Sequence, residues 1–166
     1  MRERGAYDAV LPAIAALAGA EPDREVCGFV VADREGVLAV VPVRNVARSP
    51  RVAYEADPAA HLALARRLRA EGGRIAAVYH SHVHGAARLS DEDLRNAVDD
   101  GRPVLPGVDQ IVVGLRDGKV EEVKVFTWAS GGFVEAPAAS GMADDPDGAV
   151  AHRVGADAPR AKPQPT

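Results

Sequence analysis

Residues 74–93 read RIAAVYHSHVHGAARLSDED, and this stretch decides the fold. Arg74–Tyr79 is a short, nearly uniform apolar run, the pattern of a central strand covered on both faces. His80 and His82 follow at its C-terminal end, where open α/β sheets commonly place their sites. An i, i+2 pair projects both side chains to the same side of a strand. Seven residues separate His82 from Ser90, and two separate Ser90 from Asp93. Two imidazoles and one carboxylate can hold a zinc ion and leave its fourth position open, the catalytic rather than the structural arrangement. A plainer reading competes: the histidines are polar loop residues, and Ser90-Asp91-Glu92-Asp93 is a helix start with Ser90 as its cap. The two are partly compatible, because a helix beginning at Ser90 projects Asp93 from its first turn toward what precedes it.

Upstream, Asp57-Pro58 opens the clearest helix and Gly72-Gly73 ends it. Leu62, Ala65 and Leu68 give it an apolar stripe, with Arg66, Arg67 and Arg69 toward water. Val26–Ala32 and Val37–Val43 are apolar runs of strand length joined by Asp33-Arg34-Glu35-Gly36, hence a hairpin. Pro42 puts the second strand at an edge or frays it. Tyr7–Ala20 suits a helix that starts close to Leu11, because Pro12 is easy only in a first turn, and Glu21-Pro22-Asp23 breaks it. Downstream, Ser90–Asp100 reads as a helix. Gln110–Leu115 and Val120–Phe126 flank Asp117-Gly118, a strong hairpin signal. From about Ala136 the chain is Ala, Pro, Gly and Asp without aliphatic periodicity, which predicts a disordered tail over 136–166 behind one α/β domain over 1–135.

The bulk numbers set limits. With 166 residues, 47% of them hydrophobic and only 4% aromatic, the core is one of Val, Ala, Leu and Ile. A net charge of −4 without a basic run argues against a nucleic-acid partner. One cysteine, Cys27, excludes an internal disulfide and fits a reducing compartment. No apolar stretch approaches the ~18 residues of a membrane span. MRERGAYDA has no apolar region behind its charges, so no signal peptide is visible. A soluble cytoplasmic domain is expected, with no membrane partner.

A water activated by a metal also needs a base, a carboxylate outside the ligand set. Glu25 stands out because it immediately precedes the apolar strand VCGFVV, a boundary where a carboxylate is pulled partly indoors. Cys27 reads as a small buried strand residue. His61, on a helix, and His152, in the tail, read as ordinary, while His84 continues the i, i+2 series as a possible competitor for metal.

Taken together, Glu25, His80-Ser81-His82, Ser90 and Asp93 resemble the pattern of the JAMM (MPN-plus, or JAB) zinc metalloprotease family: a glutamate on an early strand, then His-x-His, seven residues, Ser, two residues, Asp. Residues 22–29 (PDREVCGF), Arg44-Asn45-Val46-Ala47 and Val78-Tyr79-His80-Ser81-His82 add to the likeness, which spans roughly residues 7–134 and looks like the compact prokaryotic branch. The resemblance implies a cytidine-deaminase-like α/β fold, a curved and mostly antiparallel sheet flanked by helices. It implies that His80, His82 and Asp93 bind one zinc ion per chain, that Glu25 is the general acid/base, and that Ser90 helps stabilise the oxyanion. It further implies hydrolysis of a peptide or isopeptide bond after the C-terminal tail of a ubiquitin-like protein, or of a sulfur carrier of the ThiS/MoaD kind with a Gly-Gly end. Val83 and Leu89 depart from the pattern, since relatives carry rigid prolines at both places, and their presence predicts a looser 83–89 loop. Two alternatives stay open, a catalytically silent binding scaffold and a metal-dependent hydrolase of a non-protein amide. The absence of a P-C-x-x-C ligand pair argues against a zinc deaminase.

Overall fold

The structure is a computed structural model and describes residues 4–137. A turn of 3₁₀ helix over Arg4–Tyr7 leads into α1 (Leu11–Ala20), which starts where Pro12 permits. Strands β1 (Cys27–Ala32) and β2 (Leu38–Val43) form the expected hairpin, closed by the bond from the Val37 amide to Asp33 Oδ1. Helix α2 (Pro58–Glu71) is capped by Asp57, whose carboxylate accepts from the amides of Ala59 and Ala60, and it ends on Gly72 at φ +74°. Then come β3 (Arg74–His82), α3 (Asp91–Ala97), the two-residue strands β4 (Val98–Asp99) and β5 (Arg102–Pro103), β6 (Asp109–Arg116), β7 (Lys119–Ala129) and β8 (Gly132–Glu135).

Six strands form one sheet in the order β2-β1-β3-β6-β7-β8, antiparallel throughout except for the parallel β3–β6 pair. The sheet is thus mostly antiparallel, as expected, with β2 and its Pro42 on the edge. Alternation along β1 sends Val30 and Ala32 into a core with Leu11, Ile14 and Ala18 of α1, and Phe29 and Val31 into a second core with Leu64 and Leu68 of α2. Burying each such leucine is worth about 1.5–3 kcal/mol. Along β3 the same alternation puts Tyr79 in the α1 core and Val78 in the α2 core. His80 and His82 therefore share the α2 side of the sheet.

Several expectations shift. The stripe of α2 is Leu64 and Leu68, four residues apart, whereas Leu62 and Ala65 face water. α3 stops at Ala97, not Asp100, because Asp100 and Gly101 take positive φ and turn the β4–β5 ribbon. β8 was unexpected; it pairs with β7 through a second two-residue turn, Ser130-Gly131, also at positive φ. Ala136, expected as the first tail residue, is buried in the α1 core, and its amide bonds to the Val125 carbonyl. The expected disorder beyond Pro137 lies outside the described residues. Among the described residues no helix is long and apolar enough to cross a membrane.

Candidate metal centre

Antiparallel pairing of β1 with β3 sets Cys27 opposite His80, and the ladder continues one step beyond β1. There the Val26 amide donates to Ser81 Oγ at 2.9 Å and the Ser81 amide to the Val26 carbonyl at 3.0 Å. This register brings Glu25, next in the chain, to the end of β3 that carries the histidines. Both histidines lie inside β3 rather than after it.

Across from them stands the first turn of α3. Ser90 Oγ accepts from the Asp93 amide at 3.1 Å, and Asp93 Oδ2 accepts from the Ser90 amide at 2.7 Å, so the capping box is complete. Ser90 Oγ also donates to Asp93 Oδ2 at 2.7 Å. Held this way, Asp93 turns one oxygen toward each histidine, Oδ1 at 3.3 Å from His80 Nε2 and Oδ2 at 3.4 Å from His82 Nε2. The two Nε2 atoms are 3.1 Å apart. Each of the three residues offers a ligand atom within 4.8 Å of the others, so the group could hold a metal ion. Cap and ligand, the two readings of Asp93, are compatible in this geometry.

The orientation of His82 is fixed by its other nitrogen. Nδ1 lies 3.1 Å from the Ala86 carbonyl, which only accepts, so Nδ1 carries a proton and Nε2 is the nitrogen turned to the cluster. Burial opposes charging of His82, yet its bond to Asp93 and the carboxylates of Glu25 and Asp93 outweigh it and raise its pKa. His80 is fully buried, and burial, only partly offset by Asp93, holds its pKa below the ordinary value. Burial also works against the charge of Asp93, but hydrogen bonds from His80, His82 and Ser90 prevail and hold its carboxyl far below the usual range.

Glu25 is buried at the edge of this cluster. Burial, opposed by His82 and reinforced by Asp93 and Glu92, pushes its carboxyl from 4.5 up to about 7. It lines a cleft of about 270 Å³ together with Arg51, Tyr54, His82, Ser90 and Asp93. All five residues singled out in the sequence, Glu25, His80, His82, Ser90 and Asp93, thus meet at one end of the sheet.

A family model described as "Prokaryotic homologs of the JAB domain" matches residues 8–130. The chain belongs to that family. Among its JAB-domain relatives is a protein of Haloferax volcanii named desampylase, 34% identical over 104 residues that make up 61% of this chain and 70% of the relative. Another, from Thermus thermophilus and named a probable TtuB-protein conjugate cleaving protease, is 44% identical over 66 residues, 40% of this chain and 45% of the relative. A solution structure of a protein from Desulfitobacterium hafniense superposes with a TM-score of 0.61 at 26% identity, covering 79% of this chain and 88% of that one. A second, from Salinibacter ruber, gives 0.53 at 23% identity over 84% and 91% and shows the same fold.

Within this JAB domain, the loop expected to be loose is pinned. Val83 is buried, and Leu89 packs on the cluster of Ala87, Val112 and Phe126. The Ala87 amide donates to Glu122 Oε1 at 2.8 Å. Beneath it, a Cβ at Gly114 would stand 2.7 Å from the Ala87 nitrogen and 2.8 Å from the Gly85 carbonyl oxygen, so only glycine lets the loop lie this close. His84 is exposed and stands outside the His80–His82–Asp93 group, lining the same cleft 3.0 Å from an Arg51 guanidinium nitrogen. His61 packs against Phe29 with ring centroids 4.7 Å apart, and His152 lies outside the described residues. The thiol of Cys27 is buried and pushed up to about 11, the state of an unreactive strand residue. Sequence reasoning missed Tyr54 and gave Asn45 no role of its own. The available signals were a tyrosine in a polar loop of an aromatic-poor chain, and a buried asparagine in the stretch Arg44–Ala47.

Proposed function

We propose that this chain is a zinc-dependent peptidase that hydrolyses a peptide or isopeptide bond after the C-terminal tail of a ubiquitin-like or sulfur-carrier protein. One observation carries the reading: the His80–His82–Asp93 cluster lies beside the Glu25 carboxyl, which burial pushes up to about 7, and Glu25, His82 and Asp93 line one cleft. The names of the relatives, desampylase and TtuB-protein conjugate cleaving protease, support the substrate class.

The donor set fits zinc: two imidazole nitrogens and one carboxylate, with His82 already turned by its Nδ1 bond to present Nε2. His80, His82 and Asp93 would hold one ion per chain. When bound, zinc supplies a Lewis acid that polarises a carbonyl and acidifies water. The remaining work belongs to the chain. Glu25, with a carboxyl near neutrality, takes the proton from water and returns it to the leaving nitrogen, and a group poised there does both at physiological pH. Ser90 lines the cleft, and rotation of its hydroxyl away from Asp93 Oδ2 lets it donate to the oxygen on which charge develops. A tail ending in Gly-Gly suits a site walled by Tyr54 and the 83–89 loop, because the narrowest residues reach the buried cluster. The lone cysteine, a free buried thiol, fits a cytoplasmic setting.

The test is cleavage of a Gly-Gly-tailed sulfur carrier fused to a reporter, followed by mass spectrometry. Zinc-loaded wild type cuts after the tail. Glu25→Gln keeps its zinc and loses at least about a hundredfold in rate. Wild-type protein that binds zinc but cuts no ubiquitin-like or sulfur-carrier fusion would leave the scaffold reading in its place.

A further inference from the structure

The two histidines are held unequally, and the inequality leads to Tyr54. His82 has its Nδ1 on the Ala86 carbonyl. His80 has nothing comparable: its Nδ1 is buried and meets no hydrogen-bond partner among the described residues. Histidines that ligate metals almost always have the second nitrogen bonded, and that bond sets the rotation of the ring. Apart from the contacts of Nε2 within the cluster itself, no hydrogen bond sets the rotation of His80. What contacts its face instead is the ring of Tyr54, stacked at 4.2 Å between centroids and tilted by only 17°.

Tyr54 lies in the irregular segment between β2 and α2, and its own place is fixed by one side chain. Asn45, buried, spends all four of its hydrogen-bonding positions there. Its Nδ2 donates to the Ala53 carbonyl at 3.0 Å and to the Glu25 carbonyl at 2.9 Å. Its Oδ1 accepts from the Glu55 amide and the Ala47 amide, both at 3.0 Å. The residues just before and just after Tyr54 are thus clamped by the same amide that holds the backbone of Glu25. We infer that Tyr54, clamped by Asn45, is the positioning residue for His80 and substitutes by stacking for the hydrogen bond that His80 Nδ1 lacks.

The inference rests on the metal reading of the cluster, and the experiment separates the two. Zinc affinity is measured by chelator competition, and cobalt(II) absorption in the visible range reports ligand geometry independently of turnover. Tyr54→Phe keeps the ring and matches wild type in both. Tyr54→Leu loses about 10–100-fold in affinity and changes the cobalt spectrum. Asn45→Ala, which frees Tyr54 without touching it, shifts both in the same direction by less. In the metal-free protein, nuclear magnetic resonance of the His80 ring protons shows the upfield displacement of a stacked ring in wild type and Tyr54→Phe, and its loss in Asn45→Ala, a readout that survives if Tyr54→Leu folds poorly. Wild type that takes up no zinc overturns the metal reading and this inference together. Wild type that binds zinc while Tyr54→Leu matches it in affinity and spectrum overturns the inference alone.

Discussion

His80 and His82 stand two residues apart on one strand, yet the two loops that wall the cleft hold them by different physics. The 83–89 loop reaches His82 through a polar contact, the Ala86 carbonyl on Nδ1, and is fastened to the sheet by Glu122 and by its close approach to Gly114. The segment between β2 and α2 reaches His80 through an apolar one, the flat ring of Tyr54, and is fastened by the four bonds of Asn45. The hydrogen-bonded ring is the more exposed, with 15% of its side chain accessible, and its pKa is raised. The stacked ring is fully buried and its pKa is lowered. A polar tether works where the carbonyl also sees water; deep in the strand, a stacked ring avoids burying another polar group.

Asp93, in α3 and outside both walls, meets both histidines, so removing it breaks the comparison altogether. Asp93→Ala takes the shared carboxylate from both Nε2 atoms and the acceptor from the capping box. Zinc affinity should fall by more than about a hundredfold, beyond what loss of a supporting contact costs. The fold should lose about 1 kcal/mol from the uncapped α3. Chelator competition and urea unfolding of the metal-free protein measure the two effects separately. Retention of full affinity would remove Asp93 from the ligand set.

The next largest effect isolates the polar wall. Gly114→Ala drives a methyl group into the backbone of Gly85, Ala86 and Ala87, where no flexible side chain can give way. Overpacking of this kind costs about 1–3 kcal/mol. The displaced loop carries the Ala86 carbonyl away from His82, so zinc affinity should fall with stability while the Tyr54–His80 stack persists. An unchanged melting temperature would show that the loop yields freely.

This division between the walls also marks what the sequence could reveal. Glu25, His80, His82, Ser90 and Asp93 were legible because chemistry restricts their types and spacing, and the Ser90–Asp93 cap was legible because it is local. The sheet followed from apolar runs and from Asp117-Gly118. Misses came where a signal was weak or depended on distant parts of the chain. Ser130-Gly131 and Asp100-Gly101 are two-residue turns like Asp117-Gly118, but the runs beside them are short or mixed, so β8 went unseen and α3 was drawn too long. Leu62, Ala65 and Leu68 step by three and Leu64 and Leu68 by four, both neighbour spacings on a helix, and only the position of the sheet decides between them. Val83 and Leu89 promised a loose loop because what pins it, Gly114 and Glu122, lies some 30 residues onward in the sequence. Tyr54 is functional only because Asn45 and His80 meet it in space.

Between the walls sits Glu25, whose titration gives a smaller effect with a definite sign. Unfolded, its carboxyl ionises near 4.5; folded, burial raises it to about 7. Between those values the folded chain binds more protons than the unfolded one, so its contribution to stability is fully present below 4.5 and is lost as pH rises through about 7. Metal-free wild type should therefore be less stable at about pH 8 than at about pH 5, by on the order of 1–3 kcal/mol from this group. Glu25→Gln should flatten that dependence. Urea midpoints of the two proteins across the range decide it, and parallel curves would mean that the carboxyl is not buried as described.

The smallest effect is the most discriminating. Glu122→Ala removes the acceptor of the Ala87 amide but leaves Gly114 to support the loop, and it touches nothing on the Tyr54 side. Half-exposed hydrogen bonds to a charged group are worth about 1 kcal/mol, so the loss in stability is modest. Because the bond lies one residue from the carbonyl that orients His82, zinc affinity should drop several-fold, within the range for supporting contacts. The signature is in which ring moves. In Glu122→Ala the His82 Nδ1 proton should exchange faster while the His80 ring keeps its stacked chemical shifts; in Asn45→Ala the pattern reverses. If either substitution disturbs both rings equally, the two walls are one coupled unit, and the division of labour between stacking and hydrogen bonding does not hold.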